Sequence, residues 1–101
     1  MSSPVRVLCI YRVKGGKEAE FRPLLEKHWP TLDGVGLVSD EPARWYTSED
    51  KQKRKCFVEI FEWKDAEAPN TAHHMPEVMA VWEPMGALLD DMEFLHLESL
   101  G

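Results

Sequence analysis

The feature that most limits the fold is a set of strand-like segments with no polar face. Residues 56–63 place Phe57, Glu59, Phe61 and Trp63 on one side and Val58 and Ile60 on the other. Successive side chains of a strand point to opposite faces of its sheet, so both faces of this segment are mainly apolar. Residues 5–13 repeat the pattern, with Val7, Cys9, Tyr11 and Val13 opposite Leu8 and Ile10. Residues 94–99 do so again, with Phe94, His96 and Glu98 opposite Leu95 and Leu97. An antiparallel sheet with one wet face alternates to polar on that face. This chain therefore predicts a sheet covered on both sides, and a second copy of the chain is the simplest second cover.

The segments between complete the order. Residues 5–13 end at the turn signal Lys14-Gly15-Gly16. Residues 17–32 have helical spacing, with Phe21, Leu24, Leu25, His28 and Leu32 on one stripe. Pro23 should kink this helix, and Pro30 and Gly34 should help end it. Residues 36–47 read as an interrupted second strand that Pro42 confines to an edge or a bulge. A polar hairpin loop spans 48–55. Asp65 is a helix cap for a short helical piece over 66–74. A longer one should run over 76–91, kinked or restarted near Pro84, with Val78, Met79, Val81, Trp82, Met85, Leu88, Leu89 and Met92 on its buried stripe. The order βαββαβ over residues 1–101 predicts one α+β, ferredoxin-like domain: an antiparallel sheet with both helices on one face.

Charge removes several classes of function. The chain has a net charge of -6, which repels polyanions, and its basic stretch over 51–55 sits in a loop, so nucleic acid is excluded as a partner. No apolar run approaches the ~20 residues a bilayer requires, so no membrane partner is expected. The N-terminus, Met1-Ser2-Ser3-Pro4, lacks the pattern of a secretory signal, and a cytoplasmic protein is expected. Cys9 and Cys56 fall in strands without ligand spacing and read as buried reduced thiols.

Four groups of residues bear on chemistry. His73 and His74 are adjacent on a helix and point apart, so no metal site is predicted. Tyr11, Glu59 and His96 share the aromatic row and could form a polar island among Phe57, Phe61 and Trp63. That island is equally a ligand-binding group or a hydrogen-bonded network inside a dimer interface. His28, beside Trp29, reads as a satisfied core histidine. Trp45, Trp63 and Trp82, with Met79 and Met85, suit either a planar ligand or an ordinary core.

The run Phe61-Glu62-Trp63-Lys64-Asp65-Ala66-Glu67-Ala68, followed by Ala72-His73 and Pro76, resembles a pattern of the antibiotic-biosynthesis-monooxygenase-like family. There a strand ends in Trp, a capping residue and Glu-Ala follow, and a helix His comes next. The opening Tyr11-Arg12-Val13-Lys14-Gly15-Gly16-Lys17-Glu18, leading to Phe21, also resembles that family's first strand and helix. The resemblance implies a dimeric α+β barrel, two ferredoxin-like sheets packed face to face. Some members oxidise polycyclic phenols without metal or flavin, and others bind and degrade haem. It also implies that His73 orients or deprotonates a phenol, as an imidazole titrating near neutrality is suited to do. A helix-capping or hydrogen-bonding histidine is the other reading. The chain departs from the pattern at Phe61, where family strands often carry Glu, and at Glu77 and Val78, where a second His is common. Tyr11 stands where the haem-degrading branch has Asn, which counts against haem degradation.

The leading expectation is a cofactor-independent monooxygenase-like protein for a small aromatic or quinone-like compound, with His73 and Tyr11 as catalytic residues. Trp63, Val78, Trp82, Met85, Glu59 and His96 are the binding residues. The alternative is a non-catalytic homodimeric binding or stress-response module, and haem binding is third. A ligand should sit between the sheet and the second helical region, because Pro69, Pro76 and Pro84 make that region pack less regularly.

Overall fold

A computed structural model describes residues 3–101. Seven elements follow one another: β1 (Val5–Val13), α1 (Glu18–Gly34), β2 (Arg44–Glu49), β3 (Lys55–Trp63), α2 (Ala68–Ala72), α3 (Pro76–Ala87) and β4 (Leu89–Leu97). The four strands form one antiparallel sheet in the order β2-β3-β1-β4. This is the ferredoxin-like α+β arrangement that the sequence predicts.

Register assigns the two rows to faces. Val7 lies opposite Phe61 and Cys9 opposite Glu59, while Leu8 lies opposite Ile60 and Ile10 opposite Val58. On β4, His96 pairs with Val7 and Leu95 with Leu8. The aromatic row faces the helices and is buried from Val7 through Val13 and from Phe57 through Trp63. Phe21, Leu25 and Leu32 of α1 and Val78, Val81 and Met85 of α3 close over it. The aliphatic row of Leu8, Ile10, Val58 and Ile60 has no helix on it, and Leu95 and Leu97 stand exposed beside it.

The second strand differs from the sequence reading. Gly36 does not open a strand; it ends α1. Its φ of +75° is left-handed, its N–H donates to the Asp33 carbonyl, and the Leu37 N–H reaches back to the Leu32 carbonyl at 3.0 Å. These paired bonds are the Schellman ending of a helix, and buried Leu37 supplies its apolar contact. Between Leu37 and Ala43 the backbone pairs with the sheet at a single bridge, Val38 to Trp63. Regular pairing waits until Pro42 is passed.

The last helix and strand also shift. Helical spacing carried the expected helix to residue 91, but α3 ends at Ala87. The Lys14 N–H binds the Leu88 carbonyl at 2.8 Å, and β4 begins at Leu89, paired with Val13 across an irregularity in register at Arg12. Sheet pairing overrides local spacing here. Leu89 and Met92 therefore reach the helix side from a strand. Asp65 does cap the start of the second helical region, its carboxylate accepting the N–H groups of Glu67 and Ala68 at 3.0 and 2.9 Å.

Candidate functional site

A cavity of about 310 Å³ lies between the sheet and α2 and α3. Val7, Cys9, Tyr11, Phe61 and Trp63 form its buried wall on the sheet, and Trp82 and Met85 line it from α3. Exposed His73, Phe94 and His96 stand at its rim. Two ring pairs shape the opening: Trp63 meets Trp82 edge to face, and the His73 ring lies 4.8 Å from that of Trp82.

The polar groups converge on Glu59, which is fully buried on β3. Its Oε1 accepts the Tyr11 hydroxyl at 2.7 Å and the His28 Nδ1–H at 2.8 Å. Its Oε2 accepts the Trp45 indole N–H at 2.8 Å. The other nitrogen of His28, Nε2, accepts the Trp82 indole N–H at 2.8 Å. One chain of hydrogen bonds thus runs from β2 through Glu59 and His28 to Trp82 at the cavity. Burial, and the nearby Glu59 charge, push the Tyr11 hydroxyl well above its ordinary pKa. The Cys9 thiol, buried in the same wall, is pushed up to about 12 for the same two reasons. Tyr11 therefore keeps its proton at neutral pH and acts as a donor, not a base.

The site residues read from sequence fall in three places. Tyr11, Trp63, His73, Trp82, Met85 and His96 all line the cavity. Glu59 lies behind the wall. Val78 is 1% exposed and is a core residue beneath α3, outside the lining. The expected island of Tyr11, Glu59 and His96 is corrected at its third member. Register sets His96 opposite Val7, four residues along β1 from Tyr11 and so roughly 13 Å away. His28 takes its place, a core histidine satisfied on both nitrogens. The apolar-stripe position of His28 marked it as buried, but no spacing in the sequence pairs a helix residue with Glu59 or with Trp82. Trp45 was legible only as an aromatic of unknown partner. Among the described residues no group of three or more His, Cys, Asp or Glu is placed to hold a metal ion, and no helix is long and apolar enough to cross a membrane.

No protein-family model and no curated protein matches the sequence. Solved structures match over nearly the whole chain. Rv0793 from Mycobacterium tuberculosis is 16% identical, with a TM-score of 0.70 over 98% of this chain and 97% of that one. An antibiotic biosynthesis monooxygenase is 15% identical, with a TM-score of 0.71 over 96% and 99%. SnoaB, a cofactor-independent oxygenase from Streptomyces nogalater, is 18% identical, with a TM-score of 0.71 over 99% and 96%. The chain has the fold of the antibiotic biosynthesis monooxygenases, the one the resemblance implied. At these identities the likeness establishes the fold and leaves the chemistry to the site.

Proposed function

We propose that the chain binds a small, planar, hydroxylated aromatic compound in this cavity and oxidises it with dioxygen, as a cofactor-independent monooxygenase-like oxidoreductase. The observation that carries this reading is the make-up of the cavity: aromatic and aliphatic walls with a few polar groups at one side, the usual composition of a small-molecule site. A dry apolar cavity of ~150 Å³ holds benzene, so about 310 Å³ suits two fused rings and is small for a tetrapyrrole. Trp63 and Trp82 offer flat surfaces to the rings. In this reading His73 at the rim orients a hydroxyl, and Tyr11 supports the site by holding Glu59 in place. In the reaction the ligand loses its hydroxyl proton and its electron-rich ring reduces dioxygen. One oxygen atom enters the ring as a carbonyl and the other leaves as water, giving a quinone.

Naphthols and hydroxynaphthoquinones incubated with the protein in chelator-treated buffer test this. Oxygen uptake of one molecule per substrate, with a quinone product, is the expected result. Ligand-dependent thermal stabilisation without any oxygen uptake would instead assign the chain to non-catalytic binding modules.

We also propose that the protein is a homodimer joined through the uncovered sheet face. Apolar side chains at the centre of that face and ion pairs at its margins support this. Arg6 pairs with Glu41 and Glu62 at one end, and Arg12 with Asp91 and Glu93 at the other.

A further inference from the structure

Two connected titratable side chains, His28 in the lining of the cavity and Glu59 behind it, have been given no proton-transfer role so far. An indole N–H only donates. The bond from Trp82 therefore places a lone pair on His28 Nε2 and the ring proton on Nδ1, where Glu59 receives it at 2.8 Å. His28 is fixed as one neutral tautomer with its basic nitrogen turned toward a cavity-lining residue. Behind it stands a fully buried carboxylate whose other partners, Tyr11 and Trp45, are uncharged donors. A carboxylate that orients an imidazole and stabilises the imidazolium it becomes is the arrangement of a general base with its orienting group. Trp82 is half-buried and also lines the cavity, so its N–H can exchange one acceptor for another.

We infer that His28 is the base that removes the proton of a hydroxyl bound in the cavity, with Glu59 as its positioning residue and Trp82 as a gate over Nε2. This rests on the reading that a hydroxylated aromatic occupies the cavity, and it moves the proton-accepting role from His73 at the rim to His28 in the wall. The ligand hydroxyl displaces the Trp82 N–H from Nε2. The O–H bond breaks, the proton joins Nε2, and the electron pair stays on the ligand oxygen. The products are a bound phenolate and an imidazolium paired with the Glu59 carboxylate; nothing is oxidised in this step. Opposite charges in water-poor surroundings attract far more strongly than in bulk water.

4-Nitrophenol reports the step directly, because its absorbance shifts to the red on ionisation. It is mixed with the full chain at a pH where it is mostly protonated in water, and binding is followed in parallel by calorimetry. The expected result is binding with a red shift in the wild type. His28→Gln can still accept from Trp82 and donate to Glu59 but has no basic nitrogen; binding should persist and the red shift should be lost. Trp82→Phe keeps a flat ring and frees Nε2; the red shift should persist and binding should tighten several-fold. A red shift undiminished in His28→Gln overturns the inference, and its loss in His73→Gln would return the role to His73. Wild-type binding without any red shift also overturns it while leaving the occupied cavity intact. No binding at all overturns both. Should His28→Gln fail to melt cooperatively, Glu59→Gln decides the matter: loss of most of the ionised fraction with binding retained supports the inference, and an unchanged fraction sinks it.

Discussion

Glu59 accepts hydrogen bonds from three elements at once: Tyr11 on β1, Trp45 on β2 and His28 on α1. Its first role is thus structural, tying the sheet to the first helix. Glu59→Leu keeps the volume and strands the Tyr11 and His28 donors in the core, while half-exposed Trp45 can turn to water. Each buried donor left without a partner costs about 1–3 kcal/mol, so urea unfolding should show a loss of roughly 2–6 kcal/mol. That is a large part of a small domain's ~5–15 kcal/mol. A loss under ~1 kcal/mol would mean that the network relaxes freely. Cys9 and Tyr11 add a dependence on pH. Both are acids whose folded pKa is raised, Cys9 from 9.0 to about 12. Above pH 9 the unfolded thiol releases its proton while the folded one keeps it, so the native state binds more protons and stability falls as pH rises. Thermal midpoints should drop steadily above pH 9, and Cys9→Ala should flatten the part of that slope between 9 and 12. At this scale the sequence was half legible. Alternation sorts each strand into two rows, and grouping the aromatic rows together puts Tyr11 and Glu59 on one face. It says nothing about how far along the sheet a residue of another strand sits, which misplaced His96. Nor does it say which helix residue descends on Glu59, which left His28 as a core residue without a role.

The helices and strands were legible where a local signal fixes them. β1 and β3 follow from dense β-branched and aromatic runs, and α1 follows from its stripe of Phe21, Leu25, His28 and Leu32, although it runs through Pro30 to Gly34. The signals failed where distant pairing decides. Leu88, Leu89 and Met92 continue the spacing of α3, yet β1 takes that segment into the sheet as β4. The same change places Leu89 and Met92 in the cavity lining, where a helix running to residue 91 would have held them on its own stripe. The three prolines of the second helical region were read as a source of loose packing. The cavity does lie under α2 and α3, with Pro69 in its lining. This region therefore supplies one side of the lining, and α1 contributes only His28 to it. Trp82→Ala removes a cavity wall and Trp29→Ala removes a half-buried ring on α1 outside it. Trp82→Ala should weaken naphthol binding by tenfold or more, about 1.4 kcal/mol, while Trp29→Ala should leave the dissociation constant within about twofold. Calorimetry on both variants checks this, and equal losses would mean that the cavity is not where the ligand sits.

The whole molecule presents one face that its own chain does not cover. Leu8, Ile10, Val58 and Ile60 form its centre, and Tyr46, Leu95 and Leu97 are 51%, 50% and 37% exposed on the same side. A contiguous apolar patch of this kind marks an interaction surface, and in the proposed homodimer a second copy would meet it with the same patch under two-fold symmetry. Light scattering should therefore give twice the 11.7 kDa chain mass at micromolar concentration. The rim favours this partner as well, because each end of the face carries both an arginine and carboxylates. A two-fold pairing can then set unlike charges against each other. Leu95→Glu separates the interface from the protomer. Leu95 is half exposed in the single chain, so the substitution should leave the fold of one protomer and its cavity intact. In a dimer it removes two leucines whose exposed halves become buried, each contributing about 0.7–1.5 kcal/mol, and it brings two carboxylates into an apolar contact. The transfer loss alone, about 1.5–3 kcal/mol, weakens association by roughly 10–100-fold, and the carboxylates add to it. The variant should run as a folded monomer where the wild type is a dimer. A wild type that scatters as 11.7 kDa, or a Leu95→Glu variant that stays dimeric, would show that the apolar row meets something other than its own copy.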